Sequence, residues 1–581
     1  MSLFPSARRG VFTPRLAAGL VTSLTGLALL AGAPAVLAQN GSQTSSETPG
    51  NNADNQPGQP LNTPPEAKGK MAKAVARRLE ALTTDNEQIK AIKAFYQGNA
   101  YALAWFDKDG APTDNARDFW QAIDRVSDQG LNPATYRDDR LGQVFTDNRR
   151  PGSPDQLADL DVDLSERFIA LAHDLHSGVI DDPAIHVQWQ EPKQPLDFKS
   201  ALKAASQGNA AGKLADLAPQ QPEYQALVKA LARYQAIADQ GGWPQIAEGE
   251  VLREGMKDPR ITTLWQRLQV TGDAPDNIPA PKTYDSTIMS AMKHFQTRNG
   301  LKVDGLLGPS TRDALNVSAA ERVDDIKLNM ERWRWMPVSF GKRYIAVNVP
   351  AFELDAHDAD GHDLSMKVIV GGSYNDKETP IFGDSMQYLV FRPFWNVPPS
   401  IAENEIVPEQ RKNPNYLASK NYQIVRRFGP NAEPMAVTPA NINAVARGDL
   451  LIRQAGGPNN ALGLVKFIFP NDMAIYLHST AATQLFDKTE RDLSHGCVRV
   501  ENPIALATFA LNGDPEWSRA DIDRAMHSGG RKRVDLPASI PVYMLYWTAF
   551  VEDDTVNFLA DLYDEDDKLD SALKTKSAVS L

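Results

Sequence analysis

The stretch VKFIFPNDMAIYLHS (residues 465–479) is two short runs of β-branched, aromatic and other apolar residues separated by Pro470, Asn471 and Asp472. Runs of this length and composition, closed off by Pro, Asn or Gly, read as strands. YIAVNV (344–349), MKVIVG (366–371) and YLVFRP (388–393) have the same character. Few helical patterns separate them, so the chain beyond residue 321 reads as an antiparallel β-sandwich or barrel and not as a doubly wound sheet. A mainly antiparallel β-sandwich is the expected form. Between about 401 and 450 the strands give way to a polar segment too long for an idle loop, which reads as a cap.

Upstream the period changes from two to between three and four. Ile89, Ile92 and Tyr96 fall on one helical face, and so do Leu164, Phe168, Leu171 and Leu175, with Gly178 as a C-cap. Residues 70–264 are therefore expected to form a helical domain. His173 and His176 within it read as ordinary structural histidines. The segment 265–320 carries a helix through Ile288, Met292 and Phe295, turns at Asn299-Gly300 and Asp304-Gly305, and a second short helix from Pro309. Its Phe295-to-Thr311 pattern, FQ then R-x-G-L-x-x-D-G-x-x-G-x-x-T, resembles the three-helix peptidoglycan-binding module of bacterial wall enzymes. The whole is expected to be a multidomain α+β chain.

The N-terminus reads as an export signal. Arg8, Arg9 and Arg15 precede an apolar run from Leu16 to Leu30, and Val36-Leu37-Ala38 forms a cleavage site; an uncleaved membrane anchor is the alternative for residues 1–38. Residues 39–69, rich in Gly, Pro, Ser, Asn and Gln, read as a flexible linker. Both readings place the remainder outside the cytoplasm, in a periplasm-like compartment. A net charge of −12 disfavours nucleic acid as a partner. Nine scattered histidines give no metal-ligand spacing, so no metal is expected.

Cys497, in SHGCVRV (494–500), is the only cysteine of the chain and cannot close an internal disulfide. A lone thiol flanked by Ser, His, Gly and Arg reads as a nucleophile, which needs a neighbour to take its proton. His478 and His495 are the two candidates. His495 is adjacent in sequence, yet in an extended segment its Cβ would stand about 7 Å from that of Cys497. His478 ends a strand that a returning loop can bring opposite the cysteine, so His478 is the expected base and His495 an orienting residue. Tyr476 shares the parity of His478, and Arg499 that of Cys497. Tyr476 and the Gly496–Cys497 backbone suit an oxyanion, and Arg499 suits a substrate carboxylate.

The segment LGLVKFIFPNDMAIYLHSTAATQLFDKTERDLSHGCVRVENP resembles the catalytic signature of the L,D-transpeptidases. AWFDKDGAPT, DQGLNPATY, GGWPQIAEG, ERWRWMP and FRPFWNVPPSI occur in the order of the large periplasmic members with a helical scaffold domain. The resemblance implies Cys497 as nucleophile, His478 as base, and Ser494, His495 and Arg499 shaping the pocket. It implies a donor tetrapeptide stem, an acceptor stem amine, crosslinks between third stem residues, carbapenem-type β-lactams as inhibitors and other wall-synthesis proteins as partners. A cysteine peptidase on stem peptides and a non-catalytic wall-binding protein are the rival readings. Ser479 stands where these enzymes carry aspartate, and Arg392 where they carry asparagine.

Overall fold

The computed structural model describes residues 66–147, 150–182, 184–185, 193–359, 361–374 and 377–579. The expected signal segment and nearly all of the linker lie outside them. Thirteen strands are described: β1 (Arg343–Asn348), β2 (Glu353–Asp358), β3 (Leu364–Ile369), β4 (Phe382–Phe391), β5 (Trp395–Asn396), β6 (Tyr422–Val425), β7 (Leu451–Gln454), β8 (Val465–Ile468), β9 (Leu477–His478), β10 (Val498–Val500), β11 (Lys532–Leu545), β12 (Ala549–Glu552) and β13 (Thr555–Phe558).

Eight of them close on themselves in the order β1-β11-β4-β8-β9-β10-β3-β2. The expected sandwich is thus corrected to a closed barrel. Nor is it purely antiparallel, because β1 pairs with β11 and β9 with β10 in parallel. Closure depends on β11, which lies some two hundred residues after β1 in sequence. Pro537 and Pro541 interrupt its strand pattern, and its pairing with β4 shifts register between Asp535 and Ile540. A bulge of this kind accommodates proline and bends a sheet toward closure. Inward-facing Val347, Met366, Leu389, Phe467, Leu477 and Val498 fill the barrel. Each such side chain removed from water contributes about 1.5–3 kcal/mol.

The cap is a folded unit wider than its polar sequence indicates. It starts at β5, ends at β7, and holds a three-stranded sheet in the order β5-β7-β6. Val397, Ile406, Leu417, Ile424, Ile442 and Ile452 form its own core. Arg453 fastens its far loop, donating from Nε to Gln423 Oε1 at 2.8 Å and from its two terminal nitrogens to the Gly429 and Ala432 carbonyls at 2.7 Å each.

The helical domain is built on Pro154–Ser177, whose Leu164, Phe168, Leu171 and Leu175 are buried. Gly178 follows at φ +93°, and a Cβ there would come within 2.5 Å of Trp335 Nε1. His173 meets Asp174 at 3.1 Å and Asp181 at 3.6 Å, and His176 bonds Ser177. Asp161, fully buried, accepts the N–H groups of Ala104, Trp105 and Phe106 and the Tyr96 hydroxyl. Burial pushes its carboxyl up to about 6 although these bonds pull the other way.

Helices Arg260–Val270, Ser286–Arg298 and Pro309–Asn316 enclose Trp265, Ile288, Met292, Phe295 and Leu315. The FQ pair has a structural role: Phe295 is core, and Gln296 brackets the Asp304-Gly305 turn through Asp304 Oδ1 at 3.0 Å and the Gly305 N–H at 2.8 Å. Helix Ala319–Trp335 then links the helical domain, the end of helix Ser286–Arg298 and the segment before β12. Its buried Glu331 receives the Val179 and Ile180 N–H groups and pairs with Arg334 at 2.9 Å. Its Asn329 bonds Thr548, just before β12.

Candidate active site

Three adjacent barrel strands present one outward face. In the register, Arg499 of β10 lies opposite His478 of β9, and His478 lies opposite Lys466 of β8. Phe467, Leu477 and Val498 point into the barrel core, so by strand alternation their neighbours point out. Lys466, Tyr476, His478, Cys497 and Arg499 consequently gather on one patch beside the cap.

Cys497 directly precedes β10, at the end of a tight turn. Gly496 sits at φ +107°, a conformation that favours glycine. Buried Ser494 accepts the Gly496 N–H at 3.2 Å and donates to the Cys497 carbonyl at 2.7 Å. From the other side Thr379 Oγ1 donates to the Gly496 carbonyl at 2.7 Å and accepts the Gly371 N–H at 2.9 Å. The Tyr563 hydroxyl in turn donates to the Gly371 carbonyl at 2.6 Å. Thr379, Gly371 and Tyr563 escaped the sequence reading because they lie over sixty residues from the cysteine in either direction. Only a Cβ-intolerant Gly371, where a methyl would fall 1.9 Å from the Lys377 carbonyl, hints at the crowding.

The Cys497 thiol faces the Ala474 carbonyl at 3.7 Å. Ala474 is held at φ +57°, in a loop braced by Asn471, which donates to the Ile475 carbonyl and accepts its N–H. Burial pushes the thiol up from its ordinary value; bonds from Tyr476 and the charges of Lys466 and Arg499 pull it back.

His478 is buried, and burial drives its imidazole down to about 3, helped by the nearby charges of Arg499 and Lys466, while the Ser479 and Leu462 carbonyls act in the opposite sense. Its Nδ1 lies 2.5 Å from the Ser479 carbonyl. A carbonyl only accepts, so the neutral ring carries its proton on Nδ1 and Nε2 is its basic nitrogen. The histidine is therefore oriented by main chain. A serine in place of aspartate at 479 leaves that contact intact. The Ser479 backbone is itself fixed by the Val465 carbonyl at 2.9 Å and by Gly463, where a Cβ would approach Ser479 Oγ to 2.4 Å.

Tyr476 stacks obliquely beside His478, ring centroids 5.8 Å apart, and burial raises its hydroxyl well above the ordinary range. Arg499 is lowered by burial, and its Nε is buried without a hydrogen-bond partner. Among the described residues no carboxylate pairs with it. His495 goes elsewhere: it is exposed, and its Nε2 meets Glu405 Oε1 of the cap at 3.2 Å. The structure thus assembles Cys497, His478, Tyr476 and Arg499, supports them through Gly496 and Ser494, and turns His495 toward the cap. Among the described residues no cluster of His, Cys, Asp and Glu could hold a metal ion.

Residues 342–517 match a family described as "L,D-transpeptidase catalytic domain". Residues 90–231 match a scaffold domain, and residues 257–315 match a family described as "Putative peptidoglycan binding domain". A Haemophilus influenzae protein named "Putative L,D-transpeptidase" is 30% identical over 247 residues, 42% of this chain and 49% of that protein. The match covers about half the length of that relative. A solved L,D-transpeptidase from Xylanimonas cellulosilytica aligns at 16% identity over 52% of this chain and 99% of its own, with a TM-score of 0.16, too loose a superposition to bear on the fold. The L,D-transpeptidase match ends at residue 517, yet β11 closes the barrel and Tyr563 braces the cysteine turn beyond it.

Proposed function

We propose that this chain is a peptidoglycan L,D-transpeptidase that joins third stem-peptide residues through a Cys497 thioester. The observation that supports the proposal is the parallel register of β9 with β10, in which Arg499, two residues after Cys497, lies opposite a His478 whose Nδ1 is turned to main chain.

As Cys497 Sγ attacks the carbonyl of the donor's third residue, its proton passes to His478 Nε2. The oxyanion forms beside the Gly496–Cys497 backbone and the Tyr476 hydroxyl. When it collapses, the bond to the terminal D-alanine breaks and His478 returns the proton to the departing amine, leaving a thioester. The side-chain amine of a second stem then attacks, loses a proton to His478, and expels the thiolate, which recovers that proton. Arg499 holds a stem carboxylate. Donors aimed at an oxyanion in such a site are worth roughly a hundredfold or more in rate. No step calls for a cofactor. Carbapenems, as strained acyl donors, acylate the same sulfur. The 257–315 module supplies wall affinity, and the site of action is the periplasm.

Cys497→Ala incubated with defined tetrapeptide wall fragments is expected to release no D-alanine and form no dimers, read by mass spectrometry of the products. Dimers or free D-alanine from that variant would end the assignment. Wild-type enzyme that yields only hydrolysed stems in the presence of acceptor would make it a peptidase.

A further inference from the structure

Lys466 is a half-buried lysine on the catalytic face for which the mechanism above has no use. It lies opposite His478 in the antiparallel pairing of β8 and β9, so its side chain emerges on the same outward patch. Its Nζ stands 5.1 Å from the centre of the Tyr476 ring. Among the described residues neither a carboxylate nor a hydrogen-bond acceptor pairs with that nitrogen. A desolvated ammonium without a counterion is costly, and such a site is kept where an anion forms beside it.

The groups facing Cys497 identify that anion. His478 comes from β9 and Tyr476 from the residue before it, Arg499 from β10, Lys466 from β8, and Ser494 and the Ala474 carbonyl from the flanking turns. None is a carboxylate. His478 is depressed so far that it does not supply a standing positive charge to the sulfur, in contrast to an imidazolium–thiolate pair. The cations whose charge reaches Cys497 are Lys466 and Arg499; Arg531 lies near enough to Lys466 to act on it, and Arg499 is the guanidinium offered to a stem carboxylate.

We propose that Lys466 is a positioning residue of the catalytic face whose fixed ammonium, set against the Tyr476 ring, stabilises the Cys497 thiolate and the oxyanion formed from it. It keeps its own proton throughout; the thiol proton goes to His478. This assignment rests on Cys497 being the nucleophile, and it divides the two cations, Lys466 serving the sulfur and Arg499 the substrate.

The test uses iodoacetamide, a neutral electrophile with no carboxylate, on the full chain. Its rate with Cys497 is followed against pH for wild type, Lys466→Met, Lys466→Gln and Lys466→Arg. Loss of the charge is expected to move the thiol titration up by about one pH unit and to slow alkylation at pH 7 roughly tenfold. Lys466→Arg should restore most of the rate. The glutamine variant keeps the length and polarity of the side chain and gives the same readout if the methionine variant does not fold. Superimposable rate–pH curves for the wild type and the uncharged variants would overturn the proposal. So would a slowdown confined to a carboxylate-bearing acyl donor, which would assign Lys466 to substrate. Dimer formation by wild type with tetrapeptide tests the transpeptidase reading separately, since the thiol titrates whatever its substrate.

Discussion

The faces on which Tyr476, His478, Cys497 and Arg499 lie were legible from strand parity. Tyr476 and His478 share one parity and Cys497 and Arg499 another, and only the parallel register of β9 with β10 was needed to bring the two sets together. The charge state of the pair was not legible, because it depends on burial and on Lys466, which a strand pattern records as one more polar residue. That charge state has a consequence for stability. His478 falls to about 3 in the folded protein from an ordinary value near 6.5. A group with a depressed folded pKa binds its proton more readily when unfolded. A neutral His478 therefore costs nothing above about pH 6.5, and stability drains as pH falls from there toward 3, by up to tenfold in the folding equilibrium per pH unit. Buried carboxyls such as Asp161, raised to about 6, tilt the curve the other way between about 4 and 6. The informative quantity is thus a difference: His478→Gln should lose less stability than wild type between pH 6.5 and 4 in urea melts. Parallel losses in the two proteins would mean that His478 is protonated in the fold.

At the scale of elements, the short strands around the site were readable and the long one was not. β8, β9 and β10 announce themselves by composition, whereas β11 hides behind Pro537 and Pro541 and pairs with a partner at the far end of the domain. The same distance concealed the brace on the cysteine turn. Thr379 connects two buried backbone groups, the Gly371 N–H and the Gly496 carbonyl, that the turn cannot satisfy by itself. Thr379→Val keeps the shape and strands both, at a cost of about 1–3 kcal/mol for each. Because the strain falls at Gly496, acylation of Cys497 should slow at least tenfold while the far-UV circular dichroism stays that of wild type. A melting temperature lowered with unchanged acylation would make Thr379 a general stabiliser and not a support for the nucleophile.

At the scale of the molecule, the cap is a rigid unit on two crossings. Its own core and the Arg453 bonds tie its sheet to its far loop, so it moves as one piece if it moves. The outgoing crossing passes Arg392, held at φ +47°, and the returning one passes Gly456, where a Cβ would fall 2.4 Å from the Arg392 carbonyl. The cap's other edge reaches the site through Glu405 and His495. Sequence length marked this insertion as a lid, but its extent and its hinge required the fold, since Gly456 matters only through a carbonyl sixty-four residues away. Gly456→Ala must separate the crossings by several tenths of an ångström and so tilt the cap over β9 and β10. In the proposed reaction two stem peptides pass under that edge, and a carbapenem, the proposed inhibitor, is far smaller. The variant should therefore lose about tenfold or more in kcat/KM for crosslinking of tetrapeptide fragments, a penalty of about 1.4 kcal/mol on the transition state, with carbapenem acylation of Cys497 changed by less than about threefold. Equal losses in both reactions would place the damage at the catalytic face, and no loss in either would show that the crossings do not set the cap.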